Sequence, residues 1–413
     1  MSLLYNETVF MDLIKRYPTW EKLEKYLESE EGGLLRILNK KDDLCIIRYD
    51  KSISSPRIDL PHYRWFRSVV WNMKLNCPVS IAPPKTSTTE FSYQTIYEAN
   101  QAGIVCEDFL DGFMINCFRR AGDPTIYITS RSKLDAAGHF YSSKSFRTLF
   151  MESYLNQTDE QMMNEDVLQK YLSKDLLDPN SEMAENSICY SFLVQHKDHR
   201  IVSNITQNKV YLIHKCTFLD NGFMSVEEHF NNYRNYPNMN CHFVLYSDSV
   251  SKDMDIKNWM KEIVNKRSWS FQGFVLKDGK GNRWRFRSDK YMAVKSLHGN
   301  YSSPIERFSQ LYQQNLTQKY LDYYPEDTEF FSTCSMYLHA YLLHDILYQY
   351  HLLHTRKVTT INNIKKEYHP HLYTIHGIYL TQLRPNHKKV TIEDIHSYLL
   401  KLPWQRLSSL LLA

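Results

Sequence analysis

At 413 residues, with 43% hydrophobic and 23% charged residues, the chain has ample length for two or three folded domains. Its formal net charge of +4 is too nearly neutral for a protein that coats nucleic acid along its whole surface. Its eight cysteines (Cys45, Cys77, Cys106, Cys117, Cys189, Cys216, Cys241 and Cys334) include no Cys-x-x-Cys pair, which argues against a zinc knuckle or disulfide scaffold and for a reducing compartment. No apolar run approaches the roughly 18 residues of a membrane span, and MSLLYNETVF lacks the shape of a signal peptide, so a cytoplasmic protein without a membrane partner is expected.

Residues 1–43 read as a helical lead-in: Trp20, Leu23, Tyr26 and Leu27 recur at helical spacing behind Thr19, a capping residue. From 44 to 303 the pattern turns to short β-runs such as CIIRYD, VSIAPP, GFMINCF, KVYLIH and HFVLYS, with helices predicted over 143–175 and 224–267. Many short strands without regular βαβ alternation indicate an α+β fold of antiparallel sheets. From 304 to 413 strand signals fade and helical periodicity takes over, predicting an all-helical C-terminal domain that holds nine of the 17 histidines.

Residues 271–300 carry the strongest local signal. Phe274–Leu276 leads through a Lys-Asp-Gly-Lys-Gly-Asn turn into Arg283–Phe286, which reads as a hairpin. Seven basic residues (Lys277, Lys280, Arg283, Arg285, Arg287, Lys290 and Lys295) meet only Asp278 and Asp289, a local excess of five positive charges. On a strand Arg283, Arg285 and Arg287 share a face, and they repel one another unless an anion or buried carboxylates lie among them. Phosphate suits forked guanidinium donors; the alternative is a solvated basic edge strand.

The order of five segments resembles the covalent nucleotidyltransferases, specifically phage-type RNA ligases. The segments are RWFRSVVWNMKLNCPVSIAPPK (64–85), EDFLDGFMINCF (107–118), TIYITSRSKLDAAGHFYSSKSF (125–146), SFLVQHKDHRIV (191–202) and FQGFVLKD with RWRFRSDKY (271–291). The nearest likeness is to RNA-ligase-like proteins of large cytoplasmic DNA viruses. The resemblance implies a ligase adenylation fold and a place in the host cytoplasm or the virion. It also implies RNA or DNA ends, or proteins of a viral assembly, as partners. In that family a lysine attacks the α-phosphate of ATP with Mg²⁺ help, and the AMP passes to a 5′-phosphorylated RNA end.

Set on that pattern, the decisive positions are changed. Phe109 stands where the Lys-x-Asp-Gly nucleophile belongs, before Asp111 and Gly112, and a benzyl group has no lone pair to attack phosphorus. Leu193 and Gln272 stand where metal-binding or catalytic glutamates belong, and Arg285 and Arg287 replace a pair of lysines. The resemblance therefore implies a catalytically degenerate protein with no bound cofactor or metal. Arg67, Lys85, Asp111, Arg131, Arg200, Arg285 and Arg287 remain as candidates for holding phosphate or nucleic acid. The alternative is an active ATP- and Mg²⁺-dependent ligase with a displaced lysine, Lys85 or Lys51, while Lys133 suits the rim. A helical face of His344, Tyr348 and His351 suggests metal only superficially, since no Glu-x-x-His set accompanies it.

Overall fold

A computed structural model describes residues 3–50, 60–86, 105–155, 165–176, 185–228, 242–243, 256–301 and 303–412. The chain divides into two compact units, Met1–Met292 and Ala293–Ala413. The fold is α+β, with antiparallel sheets in the first unit and a helical C-terminal region. No helix among the described residues is long and apolar enough to cross a membrane.

The first unit opens with a strand, β1 (Leu3–Glu7), and then the two helices Val9–Arg16 and Trp20–Glu28. The expected helical lead-in is thus corrected at its start. Tyr5 points inward between exposed Leu4 and exposed Asn6, a period-two pattern too short to register against the helices behind it. Next come β2 (Arg36–Lys41), β3 (Leu44–Arg48), β4 (Val69–Asn72) and β5 (Cys77–Ile81), which form a four-stranded sheet in that order. Helix Trp20–Glu28 buries Trp20, Leu23 and Leu27 on one face, and these join a core with Ile46, Val70 and Trp71 of the sheet.

The chain continues through β6 (Val105–Asp108), β7 (Phe113–Arg119), β8 (Tyr127–Ser130), β9 (Ser187–Gln195), β10 (Lys209–Phe218), β11 (Met224–Glu228) and β12 (His242–Phe243). The main sheet runs β1-β11-β10-β9-β7-β8, and β12 adds a short parallel pairing to β10. Met224–Glu228, expected as helix, is strand: Met224, Val226 and Glu228 are buried while Ser225 is exposed, so period two wins over the helical reading. Residues 229–241 and 244–255 of that expected helix, with most of the HFVLYS run, lie outside the described residues.

A bulge between Leu212 and His214 changes the face that β10 presents. Val210 and Leu212, before it, pack with Phe150, Tyr154 and Phe192 under helices Phe146–Leu155 and Glu165–Leu176. Cys216 and Phe218, after it, pack into the core on the opposite side with Phe10 and Trp71. One inserted residue thus lets a single strand serve two cores.

The third sheet is β14 (Arg283–Arg287), β13 (Gly273–Lys277) and β6, so the predicted hairpin is present and pairs with the strand before Phe109. In the second unit, Leu338, Leu342, Ile346, Tyr368, Leu372, Ile395 and Leu407 make a separate apolar core. Helix Ile392–Leu400 starts at a reciprocal Thr391–Asp394 capping box.

Gly273 has φ +129, and a Cβ there would lie 2.0 Å from the Phe286 carbonyl oxygen. Gly273→Ala is expected to cost about 3 kcal/mol, the combined scale of backbone strain and overpacking, measurable as a lowered urea midpoint.

Candidate functional site

The β6–β13–β14 sheet brings the degenerate motif positions to one end. Phe109 follows β6 and its N–H donates to the Gly273 carbonyl at 2.8 Å. Gly273 pairs with Arg287, and the Arg287 guanidinium lies 5.4 Å from the centroid of the Phe109 ring. Gln272, directly before Gly273, is buried. Leu193 borders the same turn, because a Cβ on Gly112 would come within 2.9 Å of its Cδ2. A phenyl ring under a guanidinium, beside an amide and an isobutyl group, offers neither an attacking amine nor a carboxylate pair for Mg²⁺.

Asp111 holds backbone in place. Its carboxylate accepts from the N–H groups of Val202 and Ser203, both at 3.0 Å, and from the Tyr291 hydroxyl at 2.9 Å. It is therefore committed to the loop after β9, and the phosphate-binding role expected for it is corrected: three donors already occupy it. Arg200 belongs to the same loop, donating Nε to the Val202 carbonyl at 3.2 Å.

Four of the remaining basic candidates do converge. Arg67 precedes β4, Lys85 follows β5, Arg131 follows β8 and Arg285 sits mid-β14. Tyr49, just past β3, neighbours three of them: Lys85 Nζ is 5.0 Å and Arg131 Cζ 5.6 Å from its ring centroid, and Arg67 interacts with it electrostatically, while Arg285 neighbours Arg67 and Lys85. Burial pulls Arg67 down to about 10, and its neighbours Arg131, Arg283 and Arg285 push the same way. Lys85 is lowered by burial and then by Arg285; Arg48 is lowered by burial and then by Arg131. Arg287 follows the same pattern, lowered by burial and then by Arg285, so the crowd extends to Phe109.

Among the described residues no carboxylate forms an ion pair with Arg67, Lys85, Arg131 or Arg285, and the buried Nε atoms of Arg48 and Arg131 have no acceptor. Like charges gathered in partly desolvated positions raise the potential until an anion neutralises them. Lys133 is exposed beyond this group, and Lys51 lies outside the described residues.

Comparison with known proteins gives a distant structural neighbour. No family model and no curated protein matches the chain. Among solved structures, an archaeal ATP-dependent RNA ligase (form 1) is similar over 73% of this chain and 68% of its own, with a TM-score of 0.38 and 12% sequence identity.

The expectation that Arg283, Arg285 and Arg287 act together is corrected. Arg283 is buried and its Nη1 donates to Glu228 at 2.9 Å, whereas Arg285 is exposed. Lys277, counted above with the solvated charges, is buried between Glu107 at 2.7 Å and Glu228 at 3.3 Å. Tyr5 donates its hydroxyl to Glu228 at 2.8 Å, and the His214 ring stands 3.9 Å away. The sequence signal was partial: Lys277 closes the otherwise apolar β-run GFVLK, and Glu107 follows the apolar start of VCED. What it lacked was the partner, Glu228, on a strand read as helix.

Glu152, His196 and Asp198 bring ligand atoms within 4.8 Å of one another, the one such group of three His, Cys or acidic residues among the described residues. Lys144 Nζ already sits 2.8 Å from Glu152 and 3.0 Å from Asp198, so an ammonium holds the position a metal would take.

Two predictions follow from the Glu228 group. Glu228→Gln leaves Lys277 and Arg283 short of buried countercharge and is expected to cost about 3–5 kcal/mol by urea denaturation. Burial alone would raise the Glu228 carboxyl, but Arg283, Lys277 and His214 bring it down to about 2, while burial takes His214 down to about 3. Both folded-state values lie below the unfolded ones, so the unfolded chain binds more protons. Stability should fall with acidification, first below the usual histidine range and then from about 4.5 toward 2. A urea midpoint that stays constant between pH 7 and pH 4 would contradict this.

Proposed function

We propose that this chain is a catalytically silent, RNA-ligase-like protein that binds phosphorylated nucleic-acid ends through the cations gathered around Tyr49. The observation that carries the reading is a pairing of loss and retention within one unit. Phe109 lies beneath Arg287 where a nucleophilic lysine would be needed. Close by, Arg67, Lys85, Arg131 and Arg285 keep a concentrated positive charge with no described carboxylate to cancel it. Arginine binds phosphate oxygens through a planar fork and stays charged, which suits holding and not proton transfer. The resemblance of the motifs to viral RNA-ligase-like proteins supports a role in the host cytoplasm or in a virion, on nucleic-acid ends or within an assembly.

A second reading has one observation in its favour. Burial and Arg285 lower the proton affinity of Lys85, and a lysine so placed is a better nucleophile than a free one. It would make the protein an ATP- and Mg²⁺-dependent ligase with a displaced lysine. Intact mass after incubation with ATP and Mg²⁺, or GTP and Mn²⁺, separates the two. The proposed function expects no added mass. A gain of one nucleotide monophosphate, lost in Lys85→Ala, would overturn it.

Binding to single-stranded RNA should fall with salt, and Arg131→Ala should weaken it while reducing the slope of log K against log salt by about 1. An unchanged slope in that variant would remove Arg131 from the interface.

A further inference from the structure

The C-terminal unit contains a second constellation that the nucleic-acid reading does not use. Tyr312, on helix Pro304–Gln313, lies between two histidines from different parts of the chain. Its hydroxyl is 2.8 Å from His339 Nε2 and 2.7 Å from His396 Nε2. The two imidazole centroids are 5.3 Å apart. Since both Nε2 atoms address one oxygen, they converge on the same small volume.

The geometry points to a divalent metal site of the zinc class, with His339 Nε2, His396 Nε2 and the Tyr312 phenolic oxygen as its three protein ligands. Two imidazoles and a phenolate form a borderline N/O donor set of the kind that suits Zn²⁺ and Co²⁺, with a fourth position left to water. On binding, the phenol gives up its proton to solvent and each ring presents an Nε2 lone pair, with the ring proton on Nδ1. An ion would sit about 2 Å from each nitrogen, which small rotations of exposed His339 and half-buried His396 allow.

A hydrogen-bonded trio alone would account for the distances, with the hydroxyl donating to one ring and accepting from the other. Three features go further. His339 lies in a π-helical turn, Leu338–Leu342, closed by the Leu343 N–H on the Leu338 carbonyl. Such a turn inserts a residue into the helix, and π-bulges occur frequently at functional sites, where the inserted residue re-aims a side chain. The third ligand is also held in register: Gln313, next to Tyr312, donates its amide to the Leu399 and Leu402 carbonyls at the end of helix Ile392–Leu400, which carries His396. Finally, no acidic or basic side chain among the described residues is hydrogen-bonded to any of the three, so the cation position is not already taken as it is at Glu152 and Asp198.

The full-length protein, freed of metal with a chelator, is titrated with Co²⁺ and then with Zn²⁺. One equivalent of Co²⁺ should develop the intense visible bands of a four-coordinate ion, and Zn²⁺ should abolish them. His339→Ala and His396→Ala should each weaken Co²⁺ at least about tenfold, no less than the loss of an outer-shell partner does at known sites. Tyr312→Phe preserves the ring that stacks on Phe308 and should likewise weaken binding and shift the bands. With 17 histidines in the chain, the comparison with the variants is decisive. Equal affinity in wild type and the His339→Ala/His396→Ala double variant would overturn the site, as would an octahedral-type weak spectrum in wild type or a Tyr312→Phe protein that titrates as wild type does.

Discussion

The Glu228 carboxylate is the interaction on which the first unit depends. It accepts from Tyr5 of β1 and Arg283 of β14 and pairs with Lys277 of β13, which in turn pairs with Glu107 of β6. Two carboxylates and two cations close a neutral group in the interior, joining an edge of the main sheet to the three-stranded sheet. Apolar packing could bring the two sheets together in several registers. A buried ion network with every charge matched tolerates far fewer, because a slip strands a charge without its partner.

That fixed register has a functional consequence. Strands β13 and β14 carry Lys277 and Arg283 at one end and Gly273 and Arg287 at the other, where Phe109, just past β6, hydrogen-bonds to Gly273. The same clamp that holds the sheets therefore sets Arg287 over Phe109 and presents Arg285 toward Arg67 and Lys85. The chain has spent Arg283 and Lys277 on structure and left the others without described carboxylate partners. This division lets one basic hairpin be both a core element and the edge of the proposed anion-binding surface.

Much of this was legible in the sequence, for identifiable reasons. The hairpin at 273–287 announced itself through turn chemistry and alternation, and the helical C-terminal region through sustained periodicity. Arg67, Lys85, Arg131 and Arg285 were all read from the sequence as basic candidates, and the structure gathers them from three strand ends and the middle of β14. Their meeting point, Tyr49, was invisible because nothing in a local window marks a ring as shared. Asp111 was misjudged for a similar reason: a carboxylate that accepts from distant Val202, Ser203 and Tyr291 looks the same in sequence as one awaiting a ligand. Strands β1 and β11 were lost because five residues at period two are too few to outweigh neighbouring helical signals. With β11 went Glu228, and so the identity of the partner for Lys277 and Arg283. The Tyr312, His339 and His396 group escaped because its histidines lie 27 and 84 residues from Tyr312 on separate elements, beyond the reach of any helical-face spacing.

The central claim is retained phosphate recognition without nucleotidyl transfer, and the direct measurement compares one RNA strand with a 5′-phosphate or a 5′-hydroxyl, by fluorescence anisotropy at fixed salt. Charge-assisted hydrogen bonds from two arginines predict roughly tenfold tighter binding of the phosphorylated end, from about 1.5–3 kcal/mol per contact less the cost of desolvating the arginines. The Arg67→Ala/Arg131→Ala double variant should erase that preference. Equal affinity for the two ends in the wild-type protein, or a preference that survives the double variant, would contradict the account.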